Sequence, residues 1–345
     1  MKLAAYLDQP RFRGSAVRSA RVLGLQVGGM IAVWSALARH GASEPGAWAP
    51  AVRGALTVCW ALCVLRAYMI FHDCGHGSFF QGFAGARTCN WLALHASAVM
   101  CGTPTDWTVG HRLHHAHVGN LGQDEYDWGE TIFHTAAGFR ALSRPRRVLW
   151  RMARHPLPFF ALAPLLTWYV RMRLPFELRP GRRAAYRAGD KALSSAWMAA
   201  RYALAHSVGG LSVILGGDYL AMFLGVLLFH WQHVFAGGYV RSAADWTLVG
   251  AATQGSSMLA IPRPLKVFTL GIEYHHIHHF RTKIPGYMLG AAHADAPVEG
   301  FDDLPGGFAA VPLLGWREMW ASVWMQCYDE ATRTFAPFPL HAKCE

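Results

Sequence analysis

Four apolar blocks, at 22–38, 51–71, 197–215 and 219–235, constrain the fold of this chain more than any other feature. Each is close to the roughly 20 residues that cross a hydrocarbon layer as a helix. A crossing must satisfy its own backbone donors and acceptors, so blocks of this length predict membrane helices. The 53% hydrophobic share of the 345 residues is thereby gathered into spans instead of one soluble core.

Charge placement orients the spans. After Arg39, at the end of the first block, the connection to the second block carries no Lys or Arg before Arg53, and neither does the tight turn expected at Gly216, Gly217 and Asp218. The positive-inside rule puts both connections outside and both termini in the cytoplasm. The segment 156–170 is apolar but short and holds Pro156, Pro158 and Pro164. Arg144, Arg146, Arg147, Arg151 and Arg154 precede it, and the basic stretch from Arg171 to Lys191 follows. Basic flanks on both sides imply no crossing, so it is read as interfacial or re-entrant. The N-terminal leader is long and lacks a small-residue cleavage site, which favours a first span over a signal peptide. No repeat or linker divides the chain, so residues 1–345 are expected to form one domain.

The net charge of +11 is consistent with this arrangement and excludes little by itself. No zinc-finger spacing or RNA-binding aromatic signature accompanies it, which argues against a nucleic-acid partner. Seven Cys with no CxxC pair argue against a disulfide framework or a thiolate metal site.

The chain holds 19 His against 21 Asp plus Glu, and they cluster. His72 and His76 in HDCGH are four apart and share a helix face. His111, His114 and His115 in HRLHH repeat the i, i+3, i+4 spacing of His275, His278 and His279 in HHIHH. HWQH supplies a ninth donor, His233, with His230 the alternative one turn back. A desolvated cation takes about four to six donors, so this many imidazoles suit two metals better than one. The donor set alone accepts Fe, Cu, Zn or Ni. His276 points about 100° away from its neighbours and is left out, as is His117. Asp73 and Asp106, and less directly Asp127 and Glu273, are placed to accept the second N–H of a ligating imidazole. Phe79, Phe80, Trp107, Trp168 and Tyr169, near the histidines, are candidates to line a substrate tunnel or to form an interfacial belt.

With HDCGHGSFF, HRLHH followed by AHVGNLGQDE, HWQH and HHIHHFRTKIPGY in this order, the chain resembles the membrane fatty-acid desaturase family. The resemblance runs from about 51 to 289, and is closest to bacterial-like acyl-lipid enzymes of the omega-6 (delta-12) type. One departure is that HWQH continues with Val234, Phe235 and Ala236, where bacterial relatives often carry an acidic residue. The resemblance implies an all-α fold of four transmembrane helices with a cytoplasmic helical cap. Two Fe ions would be held there by His72, His76, His111, His114, His115, His233, His275, His278 and His279. It implies oxygen-dependent desaturation of a lipid acyl chain, with electrons from ferredoxin or a b-type cytochrome. Hydroxylation or ketolation on the same site is the alternative, and a metal transporter a remote one. The bacterial inner membrane is the expected location, with the endoplasmic reticulum as the alternative and the histidines on the cytoplasmic side.

Overall fold

The structure, a computed structural model, describes residues 1–41, 49–122, 134–174 and 188–339. Asp127 lies outside these residues, as does much of the basic stretch between Arg171 and Lys191.

The chain is mostly helical. In order, its helices are α1 (Leu3–Leu7), α2 (Ala16–Gly41), α3 (Ala49–His76), α4 (Ala86–Cys101), α5 (Pro104–His117), α6 (Ala136–Ala141), α7 (Arg144–Arg154) and α8 (Pro156–Leu165). There follow α9 (Ala188–Ser207), α10 (Leu211–His233), α11 (Leu248–Thr253), α12 (Lys266–Thr269), α13 (His275–Phe280), α14 (Gly286–Ala294) and α15 (Trp316–Ser322). Among the described residues, short strands form three small sheets in and near the C-terminal part. β1 (His134–Thr135) lies parallel to β2 (Cys327–Asp329), which pairs antiparallel with β3 (Thr334–Ala336). His134 sits opposite Cys327 and Tyr328 opposite Phe335.

Among the described residues three helical stretches are long and apolar enough to cross a membrane: Pro10–His40, Ala49–His76 and Leu211–His233. α3 is the central member, and its Trp60, Ala61, Val64 and Phe71 are buried among Ala98 and Cys101 of α4 and Ile214 and Ala221 of α10. α9 occupies the place of the expected third span. It has the length but, carrying Asp190, Lys191 and Arg201, falls short in apolarity.

The hairpin between α9 and α10 does not turn at Gly216–Asp218 as expected. It turns at 208–210, where Gly209 has φ of 67°, and the expected boundary at 215–219 falls inside α10. Packing explains the difference. A Cβ at Gly217 would stand 2.6 Å from Trp60 Cδ1 and 2.9 Å from the Thr57 carbonyl oxygen, so the glycine is where α10 and α3 press together. Asp218 is fully buried and pairs with Arg201 of α9, with Nη1 donating to Oδ1 at 3.1 Å. Trp60 Nε1 and the Tyr202 hydroxyl donate to the same carboxylate at 2.9 and 2.8 Å. The polar residue marks an inter-helix network and not a loop.

Past the predicted spans, the N-terminal segment packs against the region of the third histidine cluster. Leu3, Tyr6, Leu7 and Phe12 share a core with Ile277 and Phe280 of α13 and Leu289 of α14. Asp8 accepts two hydrogen bonds from Arg281, both at 2.9 Å.

Candidate metal centre

Local sequence delivers each histidine to one place. α3 stops directly after His76 because Gly77, with φ of 64°, closes it: Gly77 N donates to the Cys74 carbonyl and Ser78 N to the Asp73 carbonyl, both at 2.9 Å. This paired closure around a left-handed glycine is a common helix C-terminus. It leaves His72 and His76 on the last two turns. α5 starts on Pro104, whose fixed φ suits a first helical position, and carries His111, His114 and His115 on its later turns. α10 ends at His233, and α13 consists of little besides the third cluster.

The nine expected histidines converge in two groups. His72, His76, His111, His115 and His278 bring one ring nitrogen each to within 4.8 Å of one another, and so do His114, His233, His275 and His279. Each triplet therefore divides. His111 and His115, one turn apart, face the first group while His114 faces the second; on α13, His275 and His279 face the second and His278 the first. The groups adjoin, since the rings of His115 and His279 stack with centroids 4.2 Å apart.

The nitrogens suit a cation better than they suit each other. His233 Nδ1 lies 3.1 Å from the Gly255 carbonyl, which can only accept, so Nδ1 carries the proton and Nε2 the lone pair. That Nε2 faces Nε2 of His114 at 3.0 Å and Nε2 of His275 at 2.9 Å, and one lone pair cannot accept well from both. Nε2 of His115 likewise faces Nε2 of His111 at 3.1 Å and of His278 at 3.0 Å. Nε2 of His76 and His279 are buried without a hydrogen-bond partner among the described residues. Burial, and then repulsion between neighbouring rings, pushes His111, His115, His275, His278 and His279 well below the ordinary histidine range. Neutral imidazoles whose lone pairs converge are the form a metal ion requires.

The residues around the rings were only partly as expected. Asp73 accepts from His72 Nδ1 at 3.1 Å and from the Gly286 backbone N–H at 2.6 Å. Asp106 instead pairs with Lys191, at 3.0 Å, so among the described residues its charge is met by a lysine and not by an imidazole. Glu273 accepts from Thr269 Oγ1 at 2.7 Å. His230 stands apart from both groups, donating through Nε2 to the Ser322 carbonyl at 2.8 Å. His276 contacts His293, with ring nitrogens 3.3 Å apart, and stays outside both groups.

A cavity of about 420 Å³ opens beside the histidines, between α3, α8, the π-helical turn Leu166–Arg171 and α10. His72, His111, His233 and His275 form one part of its wall; Val64, Met69, Met222 and Phe229 are among the apolar side chains of the rest. Of the expected tunnel aromatics, Trp168 is in that wall, whereas Phe79, Phe80, Trp107 and Tyr169 are not. Phe79 and Phe80 follow the turn at Gly77 and pack with Ile70 and Cys74 away from the cavity. Trp107 stacks on His111, centroids 4.4 Å apart and planes 18° apart, while its Nε1 donates to the Tyr68 hydroxyl at 2.9 Å. The aromatic side chains that do line the cavity include Trp168 and Phe229. Phe229 went unmarked because the short proline-bearing segment 156–170 gave no sign of packing against α10.

Comparison with known proteins agrees with the motif reading. Residues 46–301 match the family model described as fatty acid desaturase. The chain is 30% identical over 288 residues to a fatty acid desaturase of Bacillus subtilis, covering 82% of this chain and 77% of that one. It is 31% identical over 209 residues to a Synechocystis sn-1 acyl-lipid omega-3 desaturase (ferredoxin), covering 59% of this chain and 50% of the relative. To a Synechocystis sn-1 oleoyl-lipid 12-desaturase it is 27% identical over 249 residues, 69% of this chain and 66% of the relative.

Proposed function

The chain belongs to the fatty acid desaturase family of oxidoreductases, and we propose that it introduces a double bond into the acyl chain of a membrane lipid at a di-iron centre. The observation that carries this reading is the apolar cavity, whose wall includes histidines of both groups. Such a cavity fits an alkyl chain and brings its methylene groups to the metals.

The nine histidines are proposed as the ligands. Two irons, when bound, would supply the dioxygen-dependent redox chemistry needed to remove hydrogen from an unactivated alkyl chain. The protein's own part is positioning. Asp73 holds His72 by its Nδ1 proton, and the Gly255 carbonyl does the same for His233, so each keeps its lone pair turned inward. Trp107 limits rotation of His111 by stacking. The apolar wall excludes water and holds the chain against the site.

The fold is proposed to cross the membrane four times, with α9 as the additional crossing. Its Arg201 is matched by Asp218 inside the bundle, which removes the chief electrostatic objection. The termini and histidines would lie on the cytoplasmic side of a bacterial inner membrane. A ferredoxin or b-type cytochrome would deliver electrons; the omega-3 relative is itself named as ferredoxin-dependent. A delta-12 position is supported by the spacing in HDCGH and by the oleoyl-lipid 12-desaturase relative.

The test is the fatty-acid methyl-ester profile of cells expressing the chain or its His114→Ala variant. A new unsaturated species made only by the intact chain is expected. Hydroxylated or ketonic lipid in its place would move the reaction to oxygen insertion.

A further inference from the structure

Two arginines interrupt the apolar wall of the cavity, Arg154 at the end of α7 and Arg171 at the end of the π-helical turn. Among the described residues neither guanidinium has a carboxylate partner; that of Arg154 lies over the Phe159 ring, 4.2 Å from its centre. Close by, Arg173 is buried with Nε and Nη2 unpartnered, stacked 4.5 Å from the ring of Trp168, whose own indole N–H is buried and unpartnered. Burial pulls Arg154 and Arg173 down to about 10. Cations held in an apolar wall without a counter-charge are costly, and an anion entering the cavity relieves that cost.

The helix that delivers Arg154 indicates where the anion comes from. Arg144, Arg147, Arg151 and Arg154 recur at helical spacing along one face of α7. Val148, Leu149 and Met152, running from beside that face round to its far side, are exposed, as are Leu157 and Leu162 of α8. A helix with an arginine face and an exposed apolar face lies in the headgroup layer of a membrane, where phosphate is the abundant anion.

We propose that Arg154 and Arg171 hold the phosphate of a membrane phospholipid whose acyl chain occupies the cavity, making the substrate an intact anionic acyl lipid. This rests on the reading above that the cavity takes an acyl chain. The phosphate of a soluble acyl thioester shares the chemistry, but α7 favours the lipid source.

The test offers purified, metal-loaded full-length chain phosphatidylglycerol, diacylglycerol with the same acyl chains, or an acyl-coenzyme A, and counts bound molecules by native mass spectrometry. Phosphatidylglycerol should be retained over diacylglycerol. The Arg154→Gln/Arg171→Gln variant should bind it about tenfold or more weakly, with diacylglycerol unchanged. The Arg154→Lys/Arg171→Lys variant, which keeps the charge, should recover most of the binding and shows that loss in the glutamine variant is not misfolding. Preferred retention of acyl-coenzyme A overturns the phospholipid assignment. Equal phosphatidylglycerol binding by the glutamine variant and the parent overturns the arginine site and leaves the acyl cavity standing. Failure of the parent to retain any of the three overturns both.

Discussion

The carboxylate of Asp73 lies 3.1 Å from Nδ1 of His72, its immediate neighbour on α3, and its other oxygen takes the Gly286 N–H at 2.6 Å. One side chain thus joins the first histidine cluster to the loop leading out of the third. Asp73→Asn keeps the shape but removes the charge that favours a proton on Nδ1. Metal affinity should fall by about 10- to 100-fold. Metal content after dialysis against a graded chelator measures this; unchanged retention would remove Asp73 from the site.

Arg201 and Asp218 are both buried, and either alone would be an uncompensated charge between helices. Asp218→Ala should destabilise the protein by about 3–5 kcal/mol, while the double variant Arg201→Leu/Asp218→Leu should recover much of that loss. Unfolding midpoints in detergent for the parent, single and double variants decide it. Additive losses would show that the pair is not coupled.

Gly225 lines the cavity on α10, and a Cβ placed there meets nothing within 4 Å. It lies eight residues, or about 12 Å of helix rise, before His233. Gly225→Leu should fill this part of the cavity without disturbing packing elsewhere. Turnover of long acyl chains should drop relative to shorter ones, with metal content unchanged, as read from product profiles of mixed-chain substrates. An equal loss for every chain length would place the acyl group elsewhere.

Protonation should oppose both folding and metal retention. The buried histidines outside the spans have pKa values pushed well below the ordinary range. Between their folded values and the unfolded value of about 6.5, the unfolded chain binds more protons than the folded one. Stability of the metal-stripped protein should therefore be retained above about pH 6.5 and decline as pH falls below it. Thermal melts from pH 8 to pH 5 test the sign; a midpoint that rises on acidification contradicts it.

The legible parts of the site were those governed by spacing along one helix. His72 and His76, or His111 and His115, share a face because four residues nearly complete a turn, whatever surrounds them. Asp73 was legible for the same reason, being adjacent to the histidine it holds. Asp106 was not: Lys191, which takes its charge, is 85 positions away, and nothing in the local sequence announces that pairing. Phe79 and Phe80 misled because nearness in sequence to His76 ends at the left-handed turn of Gly77.

Sequence alone determined that the chain is helical, membrane-associated and furnished with enough clustered imidazoles for two metal ions, because hydropathy, charge placement and helical periodicity are properties of short segments. Tertiary structure decided how those imidazoles are shared. His114 separates from His111 and His115, and His278 from His275 and His279, only when the rotation and crossing of α3, α5, α10 and α13 are set. The same packing selects His233 over His230, moves the α9–α10 turn to 208–210 and brings Asp8 to Arg281 across 273 residues of sequence. These depend on which helix faces meet, and shape and long-range charge pairing govern that choice beyond the reach of any local pattern.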